Sequence, residues 1–317
     1  MKTLGAKNLK PKSFFPTSIL FGFGIWLLFV FCCFPFSPFD LTYVHILILA
    51  APLFLIPLVW SSNLSKENIS DSFRLLVVPS AFFLAISFLL EPSLFAATLT
   101  IPWLLLCTWM SVDQFVKFII SAPAGIGPLC NLMAFFYLPV GGAWAFADRL
   151  AFYPFDFPPT ITLLTAAHFH YAGFLLPVMA GWVIQKSKSN IFSTLIGWGV
   201  ILGIPLVAIG ITTTHFQLPI VIEVFAVTIM ASAGAGTGIL HLLLGWKNRN
   251  QVFGWLWILA GCALIGGMSL AFLYGWRHYY PIPAITIPWM YALHGTLNAV
   301  GFAIPGILGW YFSKNYA

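Results

Sequence analysis

Charge is what this sequence lacks. Lys, Arg, Asp and Glu make up 7% of its 317 residues, whereas soluble domains carry about 25%. A chain so poor in charge cannot cover a water-facing surface. That excludes a soluble enzyme, a nucleic-acid-binding domain and a disordered segment. Cysteine is scarce as well. Cys32, Cys33, Cys107, Cys130 and Cys262 show no CxxC and no His-paired spacing, so neither a redox motif nor a Cys-based zinc site is present. The cysteines read as small buried hydrophobes. HExxH and GxSxG are both missing, which removes the zinc-protease and hydrolase templates. No small-residue cleavage site follows the first apolar run, since Cys32–Pro38 reads CCFPFSP. That run is therefore expected to stay as a first membrane span rather than a removed signal.

What is present is apolar: 60% of residues are hydrophobic and mean hydropathy is +0.95. Ten apolar runs stand out, at 19–36, 41–60, 73–90, 93–110, 124–147, 160–184, 191–212, 219–244, 251–275 and 286–312. Each has about the 18–20 residues that a helix needs to cross a hydrocarbon layer roughly 30 Å thick. Strands are excluded, because open sheet edges leave backbone groups unpaired in lipid. The expected fold is an all-α polytopic bundle. The longest connections, 61–72, 111–123, 148–159 and 276–285, cannot house a soluble domain, so residues 1–317 form one membrane domain behind a basic segment at 1–18. With the N-terminus inside, twelve of the fourteen Lys and Arg face the cytoplasm, leaving only Arg149 and Arg277 outside. Both termini are expected in the cytoplasm. The formal charge of +6 is then a topology signal and implies a bilayer as partner, not nucleic acid. Prolines inside the spans, among them Pro52, Pro177 and Pro305, are expected to disturb the helices that carry them.

Polar residues inside spans are costly and usually face the interior. Helical rise puts His168 and His170 roughly 12–15 Å below the outer surface on the sixth span. His294 and Asn298 come to roughly 12 Å and 18 Å on the tenth. His45 and Glu223 enter roughly 6 Å deep on the second and eighth. Two residues apart on a helix means about 200° of rotation, so His168 and His170 leave on opposite faces, whereas His294 and Asn298 share one. A pairing of His168 or His170 with His294 across helices is the natural two-histidine site. The sequence leaves three uses open: histidines that only brace the packing, ligands for haem or a metal ion, and a path for a small-molecule substrate or proton. Glu223 could join a relay, or could pair with Arg149, Arg277 or His278. Gly199/Gly203 and Gly234/Gly238 form GxxxG pairs, which read as close helix packing.

The string Ala167-His-Phe-His-Tyr171 resembles the AHFHY segment of haem–copper oxidase subunit I, in which two histidines serve two haems on opposite faces of one helix. That resemblance covers five residues and lacks the copper-site segment. A wider one involves Thr165–Phe174, Pro139–Trp144 and Leu293–Phe302, which look like the YndJ-like family of bacterial integral membrane proteins. It implies a bacterial plasma-membrane protein of about ten spans, sometimes described as a transporter, with no assigned reaction. The expectation is a transporter-like protein with a midplane histidine site. Candidate residues are His168, His170, His294, Asn298, Glu223 and His45. A haem- or metal-binding protein and a structural or sensory protein are the alternatives.

Overall fold

The structure is a computed structural model that describes residues 17–63, 71–187 and 190–316. Lys2, Lys7, Lys10, Lys12, Lys66 and Lys188, six of the cytoplasmic cations expected above, lie outside the described residues. Among the described residues there is no strand. Ten helical segments occupy the ten expected positions. They are α1 (Thr17–Cys32), α2 (Leu41–Asn63), α3 (Asp71–Phe88), α4 (Leu94–Ser121), α5 (Ile126–Arg149), α6 (Pro159–Lys186), α7 (Ile191–His215), α8 (Val221–Lys247), α9 (Val252–Gly275) and α10 (Ile287–Tyr316). Among the described residues, eight of them, all but α1 and α3, are long and apolar enough to cross a membrane.

Local chemistry sets the ends. Ser93 caps α4 by accepting from the Ala96 N–H at 3.2 Å. Asn190 and Ser193 form a reciprocal capping box at the start of α7. Helix α4 runs eleven residues beyond the expected end at 110, so most of the expected loop 111–123 is helical. Its extension is held by the Lys117–Asp113 pair at 2.6 Å, one turn apart, and stops at Ala122 (φ 40°), just before Pro123. Apolar run length registers the membrane, and a helix that continues past the membrane edge as an amphipathic turn escapes that measure.

Three helices widen into π-helical stretches. These are Ala51–Leu55 in α2, Tyr171–Leu175 in α6, and both Met290–Gly295 and Leu297–Ala303 in α10. A proline lies in or just after a stretch in each helix: Pro52, Pro177 and Pro305. Proline has no N–H to give the carbonyl four residues back, and a local π turn rearranges the bonding around the gap. In α2 the Ala51 N–H bonds to the Ile48 carbonyl, and the Leu47 carbonyl takes the Tyr171 hydroxyl at 2.5 Å. The three widened helices also touch one another.

Helix α2 is the hub: from Val44 to Trp60 every residue except His45 is buried. The outer helices turn large apolar side chains such as Phe31, Leu105 and Leu195 outward, as lipid contact requires. The small-residue pairs pack as expected. A methyl placed on Gly238 would lie 2.9 Å from the Gly261 carbonyl oxygen of α9, and one on Gly199 would lie 2.7 Å from the Ala233 methyl of α8. At the ends of the even-numbered helices, Lys117 lies over Trp60, Arg249 over Trp246 and Lys314 over Trp182. Cations over indoles are the side chains expected at a membrane–water boundary. Reporter fusions at the two termini are expected to read cytoplasmic together, and opposite readings would mean that one of the short helices, α1 or α3, does not traverse.

Candidate functional site

His168 and His294 meet. Their ring centroids are 6.4 Å apart and the rings are inclined by 27°. The approach of the sixth and tenth spans expected from equal depth is thus found, with His168, not His170, as the partner. The tautomers follow from the neighbours. His168 Nδ1 is 2.8 Å from the Leu164 carbonyl, an acceptor only, so Nδ1 carries the proton and Nε2 presents a lone pair. That Nε2 has no partner among the described residues. The ring is exposed, although it follows the start of α6 by nine residues, about 13 Å of helical rise. An imidazole turned to lipid at that depth is costly, which argues that the space beside it is a cleft.

His294 lies within a π stretch of α10. Its Nδ1–H donates to the Gly267 carbonyl of α9 at 2.8 Å. Asn298 Nδ2 donates to the His294 carbonyl at 2.8 Å and lies 3.1 Å from His294 Nε2 and 3.2 Å from its Nδ1. Asn298 therefore covers the His294 ring, while its own Oδ1 is buried without a partner. The surrounding hydroxyls are committed. Thr296 donates to the Ala292 carbonyl and accepts from Tyr43 at 2.5 Å. Tyr171 donates to Leu47 O and Tyr291 to Phe39 O. Every hydroxyl proton in this layer is used, and the open positions are acceptors.

Above the pair, the outer ends of α2, α6 and α10 line an open hollow of about 510 Å³. Its lining includes Phe39, Asp40, Leu41, Thr160, Ile161 and Tyr291, and Asp40 is the only charged side chain among the lining residues. Ile161, Thr165 and His168 share one face of α6, since they are spaced by four and three. They carry one helix face from this hollow down to the open imidazole.

The remaining candidates go elsewhere. His170 points to the other side of α6, as the 200° rotation requires. It accepts from the Trp103 indole N–H at 3.0 Å and donates from Nδ1 to the Ala166 carbonyl at 2.8 Å, so both nitrogens are engaged and the ring is fully buried. His241 repeats this arrangement with Trp310 (3.2 Å) and Thr237 (2.9 Å). His45 stacks on Phe88 at 4.5 Å, on the α2 face opposite to Tyr43 and Leu47, and so away from the pair. Glu223 is bound by Arg277 at 2.7 Å and approached by His278 at 3.5 Å. Arg149 instead pairs with Asp148. Among the described residues no three His, Cys, Asp or Glu side chains cluster as metal ligands would. A two-histidine ligand set would need Asn298 displaced from His294. Sequence reasoning missed Tyr43, Tyr171, Thr296 and Gly267; for the two tyrosines the signal was a hydroxyl two or three residues from a histidine within a span.

Residues 45–302 match the family described as YndJ-like protein. A curated relative, Uncharacterized membrane protein YndJ of Bacillus subtilis (strain 168), is 30% identical over 180 residues. The matched stretch covers 56% of this chain and 32% of that protein, so the chain spans about a third of the relative's length. No solved structure matches the chain.

Proposed function

This chain belongs to the YndJ-like family of membrane proteins, and we propose that it binds and passes a small polar solute, transporter-like, through a site formed by His168, His294 and Asn298 in the bacterial plasma membrane. The observation that carries the reading is convergence. Among the described residues, the three helices that widen into π turns are the three that line the open outer hollow, and two of them bring the histidine pair together below it. Single π turns inside α-helices recur at functional sites, and the distortion is retained against the preference for regular bonding. The solute enters above Asp40, descends along the Ile161–Thr165–His168 face and meets the open acceptors. A shift of the π register in α6 or α10 would move the bonding pattern next to the pair and offers a way to exchange access between the two sides.

Thiol accessibility tests this. In a background with the five cysteines replaced by Ala, Thr165→Cys is expected to react from outside intact cells with a polar, impermeant thiosulfonate. Ala166→Cys, whose position is fully buried, is expected to stay unreactive. Ala172→Cys, one turn below His168, is expected to react in inverted vesicles. Protection of Thr165→Cys equal to that of Ala166→Cys would remove the solute path and leave histidines that only pack.

A further inference from the structure

We propose that the solute is a small amine, arriving as its ammonium cation; this rests on the solute path above and names its chemical class. At the histidine pair, the atoms without a partner are His168 Nε2, on an exposed residue, and Asn298 Oδ1, which is buried; both are acceptors. Nearby donors are already committed: Tyr171, Tyr291 and Thr296 to backbone carbonyls, Tyr43 to Thr296, and Asn298 Nδ2 to His294. A carboxylate or phosphate needs donors or a cation, and the site offers neither. The two outer arginines are held elsewhere, Arg149 by Asp148 and Arg277 by Glu223. An acceptor-only site fits a solute that brings its own N–H groups, and an ammonium brings several.

Charge points the same way. Among the described residues lining the mouth Asp40 alone is charged, and the outer side as a whole carries five acids against two bases in the expected topology. Such a mouth raises the local concentration of cations and repels anions. A metal cation would also be drawn in. Binding one needs several ligand atoms, and here Asn298 already covers His294 Nε2, leaving a single free imidazole nitrogen. An amine needs only hydrogen-bond acceptors.

The test uses Thr165→Cys in the full chain, reconstituted in nanodiscs and labelled by an uncharged maleimide. Methylammonium at ten times its dissociation constant is expected to slow labelling about tenfold, by simple occupancy. Tetramethylammonium, with the same charge and no N–H, should not slow it, and neither should acetate. His168→Leu and Asn298→Leu should each remove the protection while the reporter still labels. Asp40→Asn, at the exposed mouth and outside the packed layer, should weaken protection severalfold and serves if either inner variant fails to fold. Equal protection by tetramethylammonium, protection by acetate, protection by zinc in place of methylammonium, or no protection by any of them would each overturn the amine assignment. Absence of labelling without any solute would instead overturn the solute path itself, so the two failures are distinct.

Discussion

Asp148→Ala is expected to leave little folded protein. Asp148 and Arg149 are neighbours at the end of α5, and both are almost fully buried. Arg149 Nε and Nη2 each lie 2.7 Å from Asp148 Oδ2. The same guanidinium reaches the Leu90 carbonyl at 3.1 Å and lies over the Phe88 ring at 5.1 Å, and the Arg149 carbonyl accepts from the Ser93 N–H at 2.7 Å. One ion pair thus joins the end of α3, the start of α4 and the end of α5. Removing the carboxylate strands a buried cation, which costs about 3–5 kcal/mol, far more than losing an exposed pair. The yield of monodisperse protein and its unfolding temperature in detergent should both fall sharply. Asp148→Ala combined with Arg149→Ala should recover part of the loss, since the stranded charge is then gone. A single variant as stable as the parent, or a double variant worse than the single, would mean that water reaches the guanidinium and solvates the pair.

The axial part of this architecture was readable from the sequence, and the azimuthal part was not. Ten apolar runs gave ten helices, because burying the backbone in lipid leaves little other choice. Equal depth of His168 and His294 was readable because rise per residue is constant. The sequence also shows that His168 and His170 leave α6 on opposite faces. It does not show which face meets α10, because that depends on how the helices are rotated against each other. His45 illustrates the same limit: its depth was right for the site, yet Tyr43 and Leu47 hold the α2 face that meets α10 and α6, so His45 turns toward Phe88. The π stretches were half legible. Pro52, Pro177 and Pro305 signalled disturbed helices, but other spans carry prolines without widening: Pro79, Pro102, Pro139 and Pro205 lie inside continuous α-helix. In α2 the Leu47 carbonyl, left without the Ala51 N–H, instead takes a side-chain donor, Tyr171, from a neighbouring helix. That compensation is tertiary and has no signature in a single span.

His170→Leu and His168→Leu are expected to fail in opposite ways, although the residues are two apart in one helix. His170 is the acceptor for the Trp103 indole, and Trp103 is fully buried between helices. Leucine there leaves the indole N–H without a partner, at about 1–3 kcal/mol, because the donor keeps its desolvation penalty and loses its bond. The unfolding temperature should drop, and adding Trp103→Phe, which removes the orphaned donor, should restore part of it. His168→Leu strands nothing comparable. Its ring donates only to Leu164 O, which belongs to the regular helix Pro159–His170 and is not left to the side chain alone. Stability should stay within about 0.5 kcal/mol of the parent, as for a side chain that closes no network. Protection of Thr165→Cys by methylammonium should nevertheless vanish, because the open nitrogen is gone. His168→Gln, which restores an acceptor, should return some of that protection, whereas His170→Leu should leave protection intact in the fraction that folds. If His168→Leu lowered the unfolding temperature as far as His170→Leu and solute protection tracked stability in both, the histidine pair would be a brace between α6 and α10, and its exposed nitrogen would bind nothing.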